Sequence, residues 1–452
     1  MTTPTAGAPA ATPATATRSA PVAGPRGLGA VITSQLLLRI ASAAAALVIG
    51  SYFVDLSREG VPVGAVLLGV LSGLAYLAEL IIAPIAGAAS DRRGRRIFLV
   101  IAPVLAALGV LLTPGASLGD AAPALILVVA AVGTAQVIGG AGGALAAPAT
   151  LGLLADATDG DRMRRGRLAS LYELASAGGI AVGAALGPIL YAITGLGAFA
   201  VLAGIYLLAA LLVLLFVRDG PSVARSHSVG LRAQIAVFGN RRLLAFLPAW
   251  IAVNAILGTW VTAQITYVLA GDRQIEGQLF TGSLAGQEGW LSAILGGYVL
   301  FFSACVAAWV FIAGRAPTKA TLLITIGGAV LASVGLILAN HGLPLPIAAV
   351  IVGVGIFLEA GFTPAALMHL ADISGEHAAD RGLIMGVYSV VLGLGYLLGN
   401  VLGGVFAAWL AFDGLAILTI LFAVVGMASV AVMIRVDRRL ETAAADASSA
   451  AA

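Results

Sequence analysis

The sequence predicts an all-α polytopic membrane protein, twelve transmembrane helices arranged as two pseudo-symmetric six-helix bundles. Three observations predict it. Of 452 residues, 60% are hydrophobic and only 10% charged, whereas a soluble domain carries about 25% charged residues to wet its surface. The apolar stretches are continuous and run for roughly 20 residues or more, enough to cross a bilayer core as helix. Strands of a membrane barrel would instead alternate apolar and polar over about ten residues. Third, the second half of the chain carries a faint copy of the first.

Residues 1–27, rich in Ala, Pro and Thr without apolar periodicity, read as a disordered cytoplasmic tail. They lack the short apolar core of a cleavable signal, so the first span is expected to direct insertion. Apolar runs then place spans at 28–53, 62–86, 97–114, 122–150, 168–193 and 196–217, the N-terminal bundle (28–217). A cytoplasmic linker, 218–243, leads to spans at 244–270, 290–314, 320–340, 344–370, 383–409 and 414–435, the C-terminal bundle (244–435), and to a disordered cytoplasmic tail at 436–452. Cys305 is the only cysteine and lies in an apolar run, so neither an intramolecular disulfide nor a thiolate metal site is expected. His369 and His377 lack clustered ligands, and no metal or cofactor is expected.

Orientation follows from the bias of Lys and Arg toward cytoplasmic loops. With the N-terminus inside, 21 of the 24 basic residues fall inside, only Arg58 and Arg273 outside, and Arg39 within a span. Both termini are therefore expected in the cytoplasm. The net charge of +3 gives no reason to expect nucleic acid as a partner.

The internal copy is explicit between 148–188 and 364–404, a gapless displacement of 216 residues (364 − 148). Pro148 meets Pro364, Asp156 meets Asp372, Arg165-Gly166 meets Arg381-Gly382, and Tyr172 meets Tyr388. Gly179, Gly183 and Gly187 meet Gly395, Gly399 and Gly403. Spans four and five thus repeat as ten and eleven, in the same orientation. Such a parallel repeat sets a central cavity between two halves that can rock, an architecture of carriers.

Between spans two and three stands Gly87-Ala-Ala-Ser-Asp91-Arg92-Arg-Gly94-Arg95-Arg96-Ile-Phe-Leu99. This resembles the signature loop of the major facilitator superfamily, with Ala89 where a leucine is usual. With the spans and the repeat, the resemblance covers residues 28–435. It implies a latch on the cytoplasmic side: Asp91 approaches the start of span eleven, just after Arg381-Gly382, and the arginines pair with facing carboxylates such as Asp156. Gly87 and Gly94 would allow close approach and a tight turn. A plain topogenic loop is the alternative. In span five, Gly183-Ala-Ala-Leu-Gly187-Pro188 resembles the superfamily's antiporter motif, although Tyr191 and Ala192 replace its closing glycines. Small residues at this spacing also serve close helix packing.

Polar residues inside spans are costly and are functional candidates. Arg39, Gln136, Asn254 and Glu359 all fall near the midplane of spans one, four, seven and ten, which line the cavity in this fold. Arg39 offers a planar cationic fork and Glu359 an exchangeable proton; the two could also form a structural pair. Gln35, Trp260 and Gln264 complete the expected substrate cavity. Glu173 and Glu79, in the inner halves of spans five and two, are further candidates for proton coupling.

No phosphate-cradling loop is present, so an ion gradient is the expected energy source and no enzymatic activity is expected. The leading expectation is proton-coupled antiport, the efflux of small organic or lipophilic compounds by a monomer in a bacterial inner membrane. Its partners would be the substrate, protons and the lipid bilayer. Organic-anion uptake or exchange at Arg39, lipid or amphiphile transport, and a non-transporting scaffold are the alternatives.

Overall fold

A computed structural model describes residues 25–119, 122–158, 162–218, 241–312, 315–374 and 381–451. Among these residues the regular elements are helices. In the first half they are α1 (Pro25–Arg58), α2 (Ala65–Arg93), α3 (Arg95–Leu112), α4 (Leu125–Ala157), α5 (Arg162–Thr194) and α6 (Gly197–Phe216). The second half holds α7 (Arg241–Trp260), α8 (Ala263–Ala270), α9 (Glu288–Ile312), α10 (Thr318–Asn340), α11 (Leu345–Glu359), α12 (Phe362–Ser374) and α13 (Arg381–Ala451). Eleven helical segments are long and apolar enough to cross a membrane. The last, Val390–Arg439, is 50 residues long and is broken at Ala411, where φ is 49° and ψ −122°, so it supplies two crossings and brings the total to twelve.

Two spans differ from continuous helices. Span seven is α7 and α8, interrupted at Val261-Thr262, and span ten is α11 and α12, interrupted at Ala360-Gly361. Pro364 is the third residue of α12, and its missing N–H leaves a carbonyl of the preceding turn without its helical donor. α13 also runs as helix to Ala451, past the expected end of span twelve, through alanines that favour helix. Residues 1–24 and 219–240, most of the expected N-terminal tail and linker, lie outside the described residues, as do His377 and the side chains of Asp91, Arg165, Asp372, Arg381 and Tyr388.

The buried apolar residues show how the halves meet. Call the face holding the chain ends the terminal face and the opposite one the far face. Toward the terminal face each half has its own core. Leu28, Val31, Leu99, Ala149, Leu153 and Tyr172 form one; Leu243, Phe246, Trp250, Leu322, Ile326 and Leu370 belong to the other. Toward the far face a single core spans both halves, joining Leu47, Ala65, Ala181 and Ala184 to Ile265, Leu269, Leu291, Leu295, Leu415 and others. Backbones touch there: a Cβ at Gly69 would meet the Asn400 carbonyl oxygen at 2.5 Å and the Gly404 Cα at 3.0 Å. The halves are therefore sealed at the far face and carry separate cores at the terminal face.

The repeat is built in three dimensions. In the first half Gly179, Gly183 and Gly187 of α5 lie on α1: their Cβ positions would meet Arg39 Cβ at 2.6 Å, Ala43 Cβ at 2.9 Å and Ala44 O at 2.9 Å. In the second half Gly395 and Gly399 of α13 lie against Asn254 and Ala255–Gly258 of α7, with Gly403 near Thr259. The same glycine ladder thus seats span five on one and eleven on seven, with Arg39 and Asn254 over its first rung.

Candidate transport site

α1 carries Arg39 to the seam between the halves. Its guanidinium is within hydrogen-bonding reach of Tyr172 on α5 and within electrostatic reach of Glu79 on α2 and Tyr396 on α13. Glu173, exposed beside Tyr172, also feels this charge. The Arg39 Nε is buried without a hydrogen-bond partner. Glu79, half-buried, points its carboxylate at α4, where a Cβ at Gly143 would lie 3.4 Å from Oε2.

Glu359 stands apart from this cluster, at the last residue of α11. It is buried, 7% exposed, and its Oε1 has no hydrogen-bond partner. Tyr298 of α9 lies within its electrostatic reach, and Tyr396 in turn within that of Tyr298. The Tyr396 ring packs on Tyr76 of α2 across the seam, centroids 5.1 Å apart and planes tilted by 32°. Three tyrosines therefore lie between the acid of the second half and the Arg39–Glu79 cluster of the first. The arrangement pairs Arg39 with Glu79, Glu173 and Tyr172 and sets Glu359 beside Tyr298, a grouping that the midplane positions alone did not reveal.

The other expected cavity residues are placed as follows. Gln35 is buried and donates to Ser176 Oγ at 3.0 Å, tying α1 to α5. Asn254 donates to the Trp250 carbonyl one turn back, at 2.8 Å. Trp260 donates to Thr419 Oγ1 at 2.8 Å and meets Phe412 edge-on, within the second half. Gln264 is fully buried and engaged at both amide ends: it accepts from Thr262 at 2.5 Å and donates to the Asn400 carbonyl at 2.8 Å. Its place is in the far-face seal. Gln136 is half-buried on α4.

At the terminal face, α2 and α3 are joined through Gly94 alone, with φ 91°, a conformation that only glycine adopts freely. Arg95 Nε donates to Asp156 Oδ2 at 2.7 Å, its guanidinium lying over Gly152 of α4, where a Cβ would overlap it. Arg96 donates to the Leu214 carbonyl at 2.8 Å, while Arg92 is exposed. Gly87 faces Pro148 with its Cβ position 3.7 Å away, so it has room for a methyl group. Pro188 sits inside α5, next to Gly187 in the glycine ladder.

At the far face, Arg58 bridges the halves. It donates to both oxygens of Asp272, at 2.9 and 2.7 Å, and lies 3.5 Å from Asp55. The guanidinium holds the Asp272 carboxyl below its ordinary value of 3.8. Among the described residues no group of three or more His, Cys, Asp or Glu could hold a metal ion.

Twelve crossings in two repeated halves, sealed at one face over a polar seam, have the architecture of a membrane transporter. The family model of the Major Facilitator Superfamily matches residues 28–358, and the chain belongs to that family. Among solved structures the nucleoside transporter NupG is similar, with a TM-score of 0.68 at 16% identity, over 90% of this chain and 98% of that one. The peptide transporter POT in complex with sulfate has a TM-score of 0.64 at 15% identity, over 93% and 97%. The D-xylose-proton symporter has a TM-score of 0.63 at 16% identity, over 90% and 96%. No curated protein matches the chain by sequence.

Proposed function

We propose that this protein is a proton-coupled antiporter of small organic or lipophilic compounds, working by alternating access as a monomer in a bacterial cytoplasmic membrane. One observation carries the reading: Glu359 is buried with an unpartnered carboxylate oxygen at the end of an interrupted helix. A carboxylate in that position has to be neutralised by a proton or by a cationic ligand, and the choice between them is antiport. The balance of charge supports it: among the described residues Glu79 and Glu173 lie within reach of Arg39, and Glu359 is a further buried acid beyond them. The basic residues cluster on the terminal face, which makes that face cytoplasmic by the positive-inside bias. The far-face seal then corresponds to a state closed to the outside. The similar solved structures include a proton symporter, so the exchange direction rests on the site chemistry and not on those likenesses.

The test is exchange in proteoliposomes with an imposed proton gradient and a lumenal pH probe, challenged with lipophilic cations and with organic anions. Proton movement on adding cations, abolished in Glu359→Gln, is the expected result. The unpartnered Nε of Arg39 favours a second reading, an organic anion anchored there through charge-assisted hydrogen bonds. A response confined to anions and lost in Arg39→Gln would replace the first reading by the second.

A further inference from the structure

We infer that Trp309 is a positioning residue for Glu359: its indole N–H holds the interruption in span ten that sets where this carboxylate points. The inference rests on the reading of Glu359 as the exchange site. In an unbroken helix the Phe357 carbonyl would accept from the N–H of Gly361. Here Ala360 still donates to Ile356 at 3.0 Å, but Gly361 donates to Leu358, also at 3.0 Å, tightening the turn by one residue. The Phe357 carbonyl has thus lost its helical donor, and Trp309 Nε1 of α9 replaces it at 2.6 Å. Gly361 lies flat on the same indole, where a Cβ would overlap the ring. Trp309 itself is 6% exposed, in a small core with Cys305, Ala360 and Phe357.

From the other side α10 presents Gly328, whose Cβ position lies 2.6 Å from the Glu359 nitrogen and from the Gly355 oxygen. The backbone at 355–361 is therefore clamped between an indole and a glycine. A buried carbonyl left without a donor is expensive, so the interruption persists in this register because the indole is there. Tyr298 lies within electrostatic reach of the Glu359 carboxylate. A tryptophan acting only as filler would need its ring; this one also uses its N–H, and a substitution can separate the two.

Trp309→Phe keeps most of the ring and removes the donor; Gly361→Ala keeps the donor and drives a Cβ into the ring. Both are expected to displace the pH midpoint of exchange by about half a unit or more and to lower its rate about tenfold. Because both act through one clamp, the double variant is expected to be no worse than the more severe single one. Labelling of residue 359 by a lipophilic carbodiimide, followed by mass spectrometry across a pH series, reads the carboxyl without any transport, with Glu359→Gln as the blank. An altered labelling profile in Trp309→Phe sustains the inference even where exchange fails to depend on Glu359, which would fault the functional reading alone. Unchanged labelling and an unchanged pH midpoint in folded Trp309→Phe overturn it, leaving the indole a packing residue.

Discussion

Replacing Gly179 by alanine tests whether the glycine ladder sets the position of Arg39. The added Cβ would stand 2.6 Å from Arg39 Cβ, 2.8 Å from the Leu36 oxygen and 3.2 Å from the Ile40 nitrogen. Carbon atoms reach their optimal separation near 3.5 Å, so α5 must retreat from α1 by about 0.9 Å (3.5 − 2.6) at this rung. Overpacking of this kind costs about 1–3 kcal/mol, while exchanging glycine for alanine inside a helix returns about 1 kcal/mol. Gly178, the preceding residue, has nothing within 4 Å of its Cβ position and receives only the second effect. The comparison Gly179→Ala against Gly178→Ala therefore cancels propensity and isolates the clash, about 1–3 kcal/mol. Thermal unfolding of the two purified variants in detergent measures it. Exchange activity should fall in Gly179→Ala and hold in Gly178→Ala, because Arg39 moves only in the first. Equal stability and equal activity would refute the claim that α1 and α5 are in obligatory contact here.

Other expectations follow from the polar contacts. Arg58→Glu should open the far-face seal, seen as faster cysteine labelling from the far face at Thr266→Cys, and Asp272→Arg in the same chain should restore closure. Since Arg58 holds the Asp272 carboxyl below its ordinary 3.8, the pair contributes fully above that value and is lost only as pH falls through the lowered one; closure should not change between neutral pH and pH 5. Asp437→Asn removes a 5%-exposed anion shared by Lys319 at 2.7 Å and Arg242 at 3.4 Å. It should cost about 1–3 kcal/mol of thermal stability with exchange per folded molecule unchanged. Asp156→Asn, which weakens a part-buried pair with Arg95, should cost about 1 kcal/mol.

Most of the architecture was legible because lipid enforces it. With no water to satisfy the backbone, apolar runs must be helices, and the displacement of 216 residues mapped directly onto the two glycine ladders. The interruption in span ten also left a signal, Gly361 followed by Pro364 in an otherwise apolar run, the kind of break that marks sites in transporters. What the sequence could not say was which polar groups meet. Arg39 and Glu359 lie at similar depth, but depth does not fix the direction a side chain leaves its helix, and Arg39 turns to Tyr172 and Glu79. Likewise Trp260 and Gln264 share a span with the cavity but spend their polar atoms on Thr419, Thr262 and Asn400. Tyr76, Tyr298 and Tyr396 left no spacing pattern, since their proximity comes from three different spans.

The repeat carries one further consequence for the acids. Displacing Glu359 back by 216 residues gives Gly143, and Gly143 is the residue against which Glu79 lays its carboxylate. Each half therefore brings a carboxylate to the equivalent place, one from the span that repeats and one reaching across from α2 to a position left open by glycine. The surroundings differ: Glu79 has Arg39 within reach, Glu359 has the phenol of Tyr298. With different neighbours, the two acids have separate parts to play in the exchange of protons. If both exchange protons in each cycle, the reversal potential of exchange in proteoliposomes should correspond to two protons per substrate. Glu79→Gln should then lose one, a change in slope against the proton gradient that does not depend on how much protein is active. A Glu79→Gln variant with the wild-type slope would assign Glu79 to holding Arg39 in place and leave Glu359 as the coupling acid.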